Sequence, residues 1–432
     1  MTCEIAIMNQ NAVALAADSA MTVRRWVNGE RQTRYFKGSN KIFQISNYHP
    51  VGLMVFGSAN VQQIAWELIV KEFRAHLKST SFQSLNGYAE ALFDYIRQHP
   101  MFFPAERRVN IFVDEVRNTA LALLWNAKKA LKLEIAPEDA EQGRKVTDEF
   151  WNEEIAKISK DPLPKACKGG ADHQALTTHR EKLEENIKGA VAWFKGKGEI
   201  HSGRDINYGL LTLLSVQTLY RKYQKLLGSS GIVIAGYGEL DLYPAYHEMS
   251  VYGFLLDDFI YDDESQHAVS IDLPSVIKPF ATTAMVDTFL LGFSQDVYLQ
   301  VMTKYESSIK SLLDNVKKAL KTTDIPQFDD LLKNAQSEYQ EAWTNAVADD
   351  HWKPLREVVA SLPVDEMANL AETLVMLQSL KEKVTSPTES VGGPIDVAVI
   401  TRHEGLIWLK RKLYFDPQKN PRYFWRQQGI YR

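Results

Sequence analysis

The 432-residue sequence has little of several features that define specialised classes of protein. Its two cysteines, Cys3 and Cys167, are too few for a disulfide framework or for a thiolate zinc site of their own. No run approaches the ~18 apolar residues of a membrane span, and the first residues lack the basic stretch and apolar block of a signal peptide. The 50 Lys and Arg nearly balance the 54 Asp and Glu, so no net charge attracts nucleic acid or anionic lipid. We therefore expect a soluble cytoplasmic protein without nucleic-acid or membrane partners.

The beginning of the chain predicts two β-hairpins followed by two helices. Asn-Gln-Asn at 9–11 and Asn-Tyr-His-Pro at 47–50 are turn sequences, and each lies between two apolar runs. From Val61 onward, apolar residues recur at helical spacing. The predicted elements are strands over 2–8, 12–18, 41–46 and 51–56, and helices from 61 to about 77 and over 84–98.

The middle of the chain, about 101–230, is predicted to be an inserted helical region. Residues 137–204 are rich in Lys, Glu and Gly and have few large apolar side chains, which predicts a solvated or mobile stretch. Elsewhere in this region we expect a strand over 109–113 and helices over 119–133 and 207–227.

The remainder of the chain alternates strands and helices again. Strand patterns cover 231–236, 246–255, 267–273, 394–401 and 406–410, and helical patterns cover 295–321 and 364–383. The order of strands, helices, strands, helices and strands predicts an α+β fold in which antiparallel sheets pack between helical layers.

The geometry of the two predicted hairpins brings polar residues together. If the first turn is centred on its middle residue, Thr2 faces Asp18 across the strand pair. The second turn, centred in the same way, places Lys41 opposite Phe56 and beside Gly57. A hydroxyl, a carboxylate and a lysine are thereby predicted at neighbouring strand ends.

These residues have the chemistry of an acyl-transfer site. The small side chain of Thr2 permits removal of Met1, and the α-amine so exposed has a pKa of about 8 and acts as a base for its own hydroxyl. The charge of Lys41 lowers the pKa of that amine, and Asp18 holds Lys41 in place. Gly57 can present its backbone N–H as an oxyanion donor without a side chain in the way.

The segments that contain these residues resemble proteasome β-subunits and their bacterial peptidase relatives. In that family an N-terminal threonine is the nucleophile, and the Ala-Ala-Asp-Ser strand end, a lysine and an oxyanion glycine complete the site. The matching segments are Thr-Cys-Glu-Ile-Ala at 2–6, Ala-Ala-Asp-Ser at 16–19, Lys-Ile-Phe-Gln-Ile at 41–45, Phe-Gly-Ser-Ala at 56–59, Ile-Val-Ile-Ala-Gly-Tyr at 232–237, the helix at 364–383 and Gly-Gly-Pro-Ile-Asp-Val-Ala-Val-Ile at 392–400.

The resemblance implies an N-terminal-nucleophile (Ntn) hydrolase fold, which is a four-layer αββα sandwich of two antiparallel sheets between helical layers. It also implies threonine-peptidase activity that requires no metal and no organic cofactor. The chain is then a single domain over 1–432, with core pieces at about 2–100, 231–321 and 363–410, the inserted helical region at 101–230, a smaller helical insertion at 322–362 and a C-terminal tail at 411–432.

The sequence departs from the family pattern in two places. The family carries Asp-x-x-Ser before the glycine of the last strand, where direct alignment gives Thr388 and Val391. With a shift of one residue, Glu389 and Ser390 take those roles. The Gly-Ser-Gly opening of the family's third helix corresponds to Gly-Phe-Ser at 292–294.

The resemblance also implies partners, and it leaves three functions open. The expected substrate is a peptide or protein, the expected assembly is a homo-oligomer, and an ATP-dependent unfoldase is a candidate partner because this chain has no ATP-binding motif. One alternative is an Ntn amidohydrolase for a small amide or one specific protein, which the large insertion motivates. The other is a non-catalytic, proteasome-like structural or binding subunit, which the altered Asp-x-x-Ser pattern motivates.

Other reactive side chains have simpler interpretations. Cys3 is not terminal and is expected to be a packed thiol. His173 and His179 are expected to be solvated histidines, and the acidic residues at 257–264 a solvated loop rather than a cation site. The aromatic segment at 423–426 is either a docking peptide or packed against the domain.

Overall fold

The computed structural model describes residues 2–27, 30–320, 327–385 and 391–430 of the chain. Its strands are β1 (Cys3–Asn9), β2 (Ala12–Ala17), β3 (Ala20–Val27), β4 (Glu30–Lys37), β5 (Ile42–Gln44), β6 (Val51–Gly57), β7 (Asn60–Val61), β8 (Ile64–Ala65), β9 (Ser230–Gly236), β10 (Ala245–Leu255), β11 (Asp258–Ala268), β12 (Ser275–Ala281), β13 (Asp396–Thr401) and β14 (Gly405–Lys410).

The helices lie in groups between these strands. They are α1 (Trp66–Leu77), α2 (Leu85–Gln98), α3 (Ala105–Ala127), α4 (Ala140–Ile158), α5 (Ala171–Gly196), α6 (Tyr208–Arg221), α7 (Tyr223–Leu226), α8 (Ala284–Leu291), α9 (Gln295–Leu320), α10 (Phe328–Val347), α11 (Lys353–Ser361), α12 (Val364–Thr385) and α13 (Pro421–Ile430).

Within the described ranges the strands form two five-stranded antiparallel sheets and two small two-stranded ones. The first large sheet has the order β12-β1-β2-β13-β14, and the second has the order β11-β10-β9-β6-β5. The strands of each large sheet come from distant parts of the chain, since β13 pairs with β2 and β9 pairs with β6. The α+β class with antiparallel sheets is therefore confirmed.

The alternation of side chains along β1 explains how the first sheet is covered on both faces. Ala6 and Met8 belong to a core shared with side chains of the second sheet, whereas Ile5 and Ile7 belong to a core shared with helices. Successive strand residues point to opposite faces, so an unbroken apolar run is what a sheet buried on both faces requires.

The outer faces of the two sheets are covered by different helices. Side chains of α8, α11 and α12 pack with the first sheet, and those of α1 and α2 pack with the second. Helix α2 has the amphipathic pattern that this position needs, with Tyr88, Leu92 and Ile96 buried at a spacing of four.

Helix α1 begins later than the sequence predicts. Gln62 and Gln63 have φ values of 45° and 72°, which interrupt the helical run that starts in the sequence at Val61. The Gln62 side chain pairs with the backbone of Phe254 through a 2.7 Å and a 2.9 Å hydrogen bond. This bidentate contact with β10 favours a small turn, and the helix starts only at Trp66.

The predicted strand at 109–113 is wrong. These residues lie inside α3, where Phe112, Val113, Val116 and Ala120 are buried along one face. A largely apolar run of five residues is too short for periodicity to separate a strand from a buried helical segment. Here the run is helical because it continues the apolar face of the residues around it.

The stretch at 137–204, predicted to be solvated or mobile, contains two helices that were not predicted, α4 and α5, and more than half of its residues are exposed. Helix α5 buries Leu183, Ile187 and Val191, which lie four residues apart. A narrow apolar stripe of this kind is enough to hold a helix although the rest of its surface is charged. These helices pack with α3 and α6 and with the end of the β10–β11 hairpin.

Several strands could not be predicted from the sequence because they carry many charged residues. Strands β3 and β4 pair with each other over a stretch that carries many charges, and β11 contains most of the acidic residues expected to form a loop. The predicted strand at 267–273 overlaps only the end of β11, whereas the strand that pairs with β1 is β12. A strand at a sheet edge tolerates charged side chains, so its alternation is weak.

The segment at 322–362 is helical where it is described, as predicted, with α10 and α11 in it. Helix α9 covers nearly the range predicted for it, and Tyr305 of α9 stacks on Tyr339 of α10 with ring centroids 4.3 Å apart. No helix in the described part of the chain has both the length and the apolar character of a membrane span.

We expect Gly236→Ala to destabilise the fold strongly. Gly236 has φ +137°, and a Cβ there would lie 2.0 Å from the carbonyl oxygen of Pro50. The strain and the backbone clash should lower the free energy of unfolding by about 3 kcal/mol. Denaturant unfolding measures this, with Gly228→Ala as the control because nothing lies within 4 Å of a Cβ at that position. Equal stability of the two variants would contradict the expectation.

Candidate active site

A cleft of about 610 Å³ opens where the two large sheets end beside the β3–β4 hairpin. Its walls come from the start of β1, from β3, from the segment between β4 and β5, from the end of β6 and from the start of α1. The lining residues include Thr2, Met21, Lys41, Phe43, Gly57 and Trp66. Three of the predicted site residues therefore share one cavity.

Asp18 lies behind this cleft and is fully buried. Its Oδ1 accepts hydrogen bonds from the backbone N–H of Cys3 at 3.1 Å and from the ammonium of Lys41. Its Oδ2 accepts from the backbone N–H groups of Gly392 at 2.8 Å and Ala20 at 3.2 Å. Four donors satisfy the carboxylate, so Asp18 can keep a negative charge out of water and hold Lys41 in one position.

The register of the first hairpin differs from the prediction by one residue. Glu4 pairs with Ala17, so Asp18 lies across from Cys3 and not from Thr2. The cause is Asn9, whose Oδ1 accepts from the backbone N–H groups two and three residues later and closes a tighter turn.

The register of the second hairpin also differs from the prediction by one residue, in the opposite sense. Ile42 pairs with Met54, and the backbone N–H of Val55 donates to the carbonyl oxygen of Lys41 at 2.9 Å. Lys41 therefore lies opposite Val55 and not Phe56. The two shifts have opposite signs and each is one residue long, and Thr2, Lys41 and Gly57 border one cleft.

The loop before β13 closes the site from behind. Ser19 donates its backbone N–H to the carbonyl oxygen of Gly392 at 3.2 Å and its hydroxyl to that of Pro394 at 2.5 Å. Gly392 and Gly393 have φ values of 144° and 86°, which a residue with a side chain rarely adopts. The Gly-Gly-Pro sequence thus fits a tight contact between the start of β13 and the Asp18 corner.

The residues expected to replace Asp-x-x-Ser cannot be placed. Glu389, Ser390 and Thr388 lie outside the described residues. Val391 is described and is buried in the apolar core between the first sheet and its helices. A packed valine side chain supplies no hydroxyl to the cleft.

The helix opening expected at 292–294 lies away from the strand next to Thr2. That strand is β12, and the residue after it, Thr282, donates its backbone N–H to the carbonyl oxygen of Thr2 at 3.0 Å. The following helix is α8, whereas Ser294 precedes α9 and donates its hydroxyl to Asp296. The two threonines that open α8, Thr282 and Thr283, were not identified from the sequence.

Glu4, which the sequence did not single out, is fully buried beside Lys41. The Oε1 atom of Glu4 lies 3.1 Å from the Nζ atom of Lys41, and neither carboxylate oxygen has a hydrogen bond of good geometry. The alternation along β1 directs Glu4 toward the second sheet together with Ala6 and Met8. A single acidic residue in an apolar strand was the available signal.

Burial raises the pKa of Glu4 from its usual 4.5 to about 7. The Lys41 ammonium lowers this pKa and the Asp18 carboxylate raises it, but removal from water has the largest effect. Cys3 points to the opposite face, into the core with the helices, and burial also raises the pKa of its thiol well above the usual value. Cys3 is therefore a packed thiol and a poor nucleophile.

The remaining candidates have no role in the cleft. No group of His, Cys, Asp and Glu side chains within the described ranges could hold a metal ion. Acidic residues of β11 form hydrogen bonds with side chains packed beside the strand. Asp262, for example, accepts a 2.6 Å hydrogen bond from the Tyr223 hydroxyl. Trp425 of the C-terminal segment is mostly exposed.

No protein-family model matches this chain, and no curated protein is significantly similar to it. The resemblance to proteasome β-subunits therefore rests on the residues and stays a prediction.

We expect Glu4→Gln to change how stability depends on pH. The folded pKa of Glu4 lies above its unfolded value, so wild type loses stability as pH rises from about 4.5 to about 7, where the folded carboxyl ionises. Glutamine has no such loss. The stability of the variant relative to wild type should rise by about 3 kcal/mol across this range, as measured by denaturant unfolding at each pH.

Asp172→Asn is the matched control. Asp172 is a buried carboxylate in the insertion, and it pairs with Arg221 at 2.6 Å. Its loss leaves a buried cation without a partner, which should lower stability at neutral pH. A Glu4→Gln difference that is constant from acid to neutral pH would contradict the assignment for Glu4.

Proposed function

We propose that this chain is a threonine-type peptidase of the Ntn-hydrolase family, with Thr2 as its nucleophile after removal of Met1. One observation carries the proposal. Thr2, Lys41 and Gly57 border the same cleft, and the fully buried Asp18 holds Lys41 from behind. These are the groups that N-terminal threonine chemistry needs, in one place.

The arrangement of the layers supports the same family. Two antiparallel sheets share a core, and separate sets of helices pack on their outer faces. This is the order expected of a four-layer αββα sandwich, and we propose that fold for the single domain with its insertion at 101–230. A homo-oligomer, an ATP-dependent unfoldase partner and a cytoplasmic location stay predictions.

The proposed reaction begins with attack of Thr2 Oγ1 on the substrate carbonyl carbon. The neutral α-amine of Thr2 takes the hydroxyl proton, and the Gly57 N–H donates to the developing oxyanion. The amine then gives its proton to the leaving nitrogen as the C–N bond breaks, which leaves an ester on Thr2. A water molecule, activated by the same amine, hydrolyses this ester and restores the hydroxyl.

Lys41 supplies the charge that makes the amine a base. It is almost completely buried, and a cation in such a site acts through a low dielectric. A nearby positive charge disfavours the ammonium form of the Thr2 amine and lowers its pKa. Asp18 keeps the lysine in place, so its effect does not depend on a flexible side chain.

The position of the insertion favours a general peptide substrate over one restricted by a lid. Within the described part of the chain, the residues that line the cleft come from positions 2–67, and none comes from 101–230. The insertion packs instead with the turn of the β10–β11 hairpin, at the other edge of the second sheet from β5 and β6. The feature that motivated a small-amide or single-protein substrate thus supplies no described residue to the wall of the cleft.

A non-catalytic subunit is the second candidate. The observation in its favour is that Val391, at the position of the family's serine, is buried in the apolar core and supplies no hydroxyl to the cleft.

Reaction with a threonine-directed β-lactone separates the two functions. Intact mass of the purified full-length protein should show loss of Met1 and one adduct, and peptide mapping should place the adduct on Thr2. Thr2→Ala should give no adduct, whereas Thr2→Ser keeps the hydroxyl and should react. Lys41→Met should slow acylation at least 100-fold, because the amine then stays protonated and its proton transfer fails.

Lys157→Ala is the control for loss of a lysine. Lys157 is exposed in the insertion and pairs only locally, with Glu154 at 2.7 Å, so acylation should proceed at the wild-type rate. Retention of Met1 with no adduct in wild type would overturn the proposed activity and favour the structural subunit.

A further inference from the structure

Glu4 is a charged residue in a position where apolar side chains are expected. Its neighbours along the same face of β1, Ala6 and Met8, belong to the core between the sheets, and Glu4 is as fully buried as they are. Its partner in β12 is Phe280, which stacks on Phe56 with ring centroids 5.7 Å apart. Burial of a carboxylate among such groups is costly, so its retention calls for a reason.

Glu4 and Asp18 share one ammonium but have very different surroundings. Asp18 accepts four hydrogen bonds, including the one from Lys41. Glu4 has the 3.1 Å contact with Lys41 and no hydrogen bond of good geometry. Two negative charges and one positive charge cannot all be satisfied in this space, so a proton would be taken up by Glu4, the carboxylate with fewer donors.

We infer that Glu4 is a positioning residue that binds and releases a proton beside Lys41 and thereby sets the pH range in which the Thr2 amine is a base. The inference rests on the proposed function, because it concerns the same nucleophile. When Glu4 is neutral, the charge of Lys41 acts fully on the amine. When Glu4 is ionised, it offsets part of that charge and stabilises the ammonium form of Thr2.

The charged groups around Glu4 define this effect. Those that act on it are Lys41, from the start of β5, and Asp18, from the end of β2. Lys278 of β12 lies further along the strand and pairs with Glu248 at 3.2 Å. The pKa of about 7 for Glu4 places its ionisation in the range where an α-amine also titrates.

The test is the rate of β-lactone acylation of the full-length protein as a function of pH. In wild type, Glu4 and the amine titrate together, so the rate should rise gradually over several pH units. Glu4→Gln keeps the site in its neutral form. Its acid limb should fit a single proton, with a midpoint lower by about one pH unit. Glu4→Asp retains a carboxylate and should return the profile toward wild type.

Two further measurements make the result specific. Asp172→Asn removes a buried carboxylate far from the cleft and should leave the pH profile unchanged. Carbon-13 NMR of glutamate carboxyls in wild type should show one group that titrates near pH 7 and is absent in Glu4→Asp. This readout does not require the glutamine variant to fold.

Each outcome decides between distinct claims. A Glu4→Gln profile that superimposes on wild type overturns the inference and leaves the proposed function intact. Absence of any glutamate carboxyl titrating above pH 6 also overturns the inference alone. Absence of acylation in wild type at every pH overturns the proposed function, and the inference with it.

Discussion

The ion pair between Lys41 and Asp18 is the interaction on which the site depends. It joins the end of β2 in the first sheet to the start of β5 in the second, and both side chains are buried. The same carboxylate binds the backbone of Cys3 and of Gly392. One side chain therefore connects the first strand, the lysine and the loop before β13. Removing it would leave Lys41 with the contact to Glu4 and without its hydrogen-bonded partner, and would hold the three chain segments less well.

Burial makes this pair sensitive to a third charge. In water, a carboxylate 3.1 Å from an ammonium would be screened by solvent, but Glu4 and Lys41 are removed from it. The cluster then contains two acids and one base, and its net charge depends on a proton. A group that changes charge near neutral pH also changes the field across the neighbouring cleft. The stability of the fold and the chemistry proposed for Thr2 are thus linked through one carboxyl.

Much of this arrangement could be predicted from the sequence, and the failures have physical causes. The two N-terminal hairpins follow from turn sequences between apolar runs, but their register depends on the side chain of Asn9, which pattern alone does not include. The strand proposed at 109–113 failed because local periodicity cannot separate short buried helices from strands. Strands β3, β4 and β11 were missed because charged edge strands carry little apolar alternation. Glu4 was missed because its importance comes from Lys41, which is distant in sequence.

The proposed site is built with little contribution from the insertion. Most of its components lie between residues 2 and 67, where short turns place them close together, and the long-range contribution comes from the glycines before β13. A large helical region can then be accommodated between α2 and β9, since β6 and β9 pair whatever the length of the chain between them. The insertion packs near the β10–β11 edge of the second sheet, whereas Lys41 precedes β5 at the other edge, so changes on the outer surface of the insertion need not alter the Asp18–Lys41–Glu4 cluster. The insertion therefore meets the proposed site where its last residue, Ser230, pairs with Gly57.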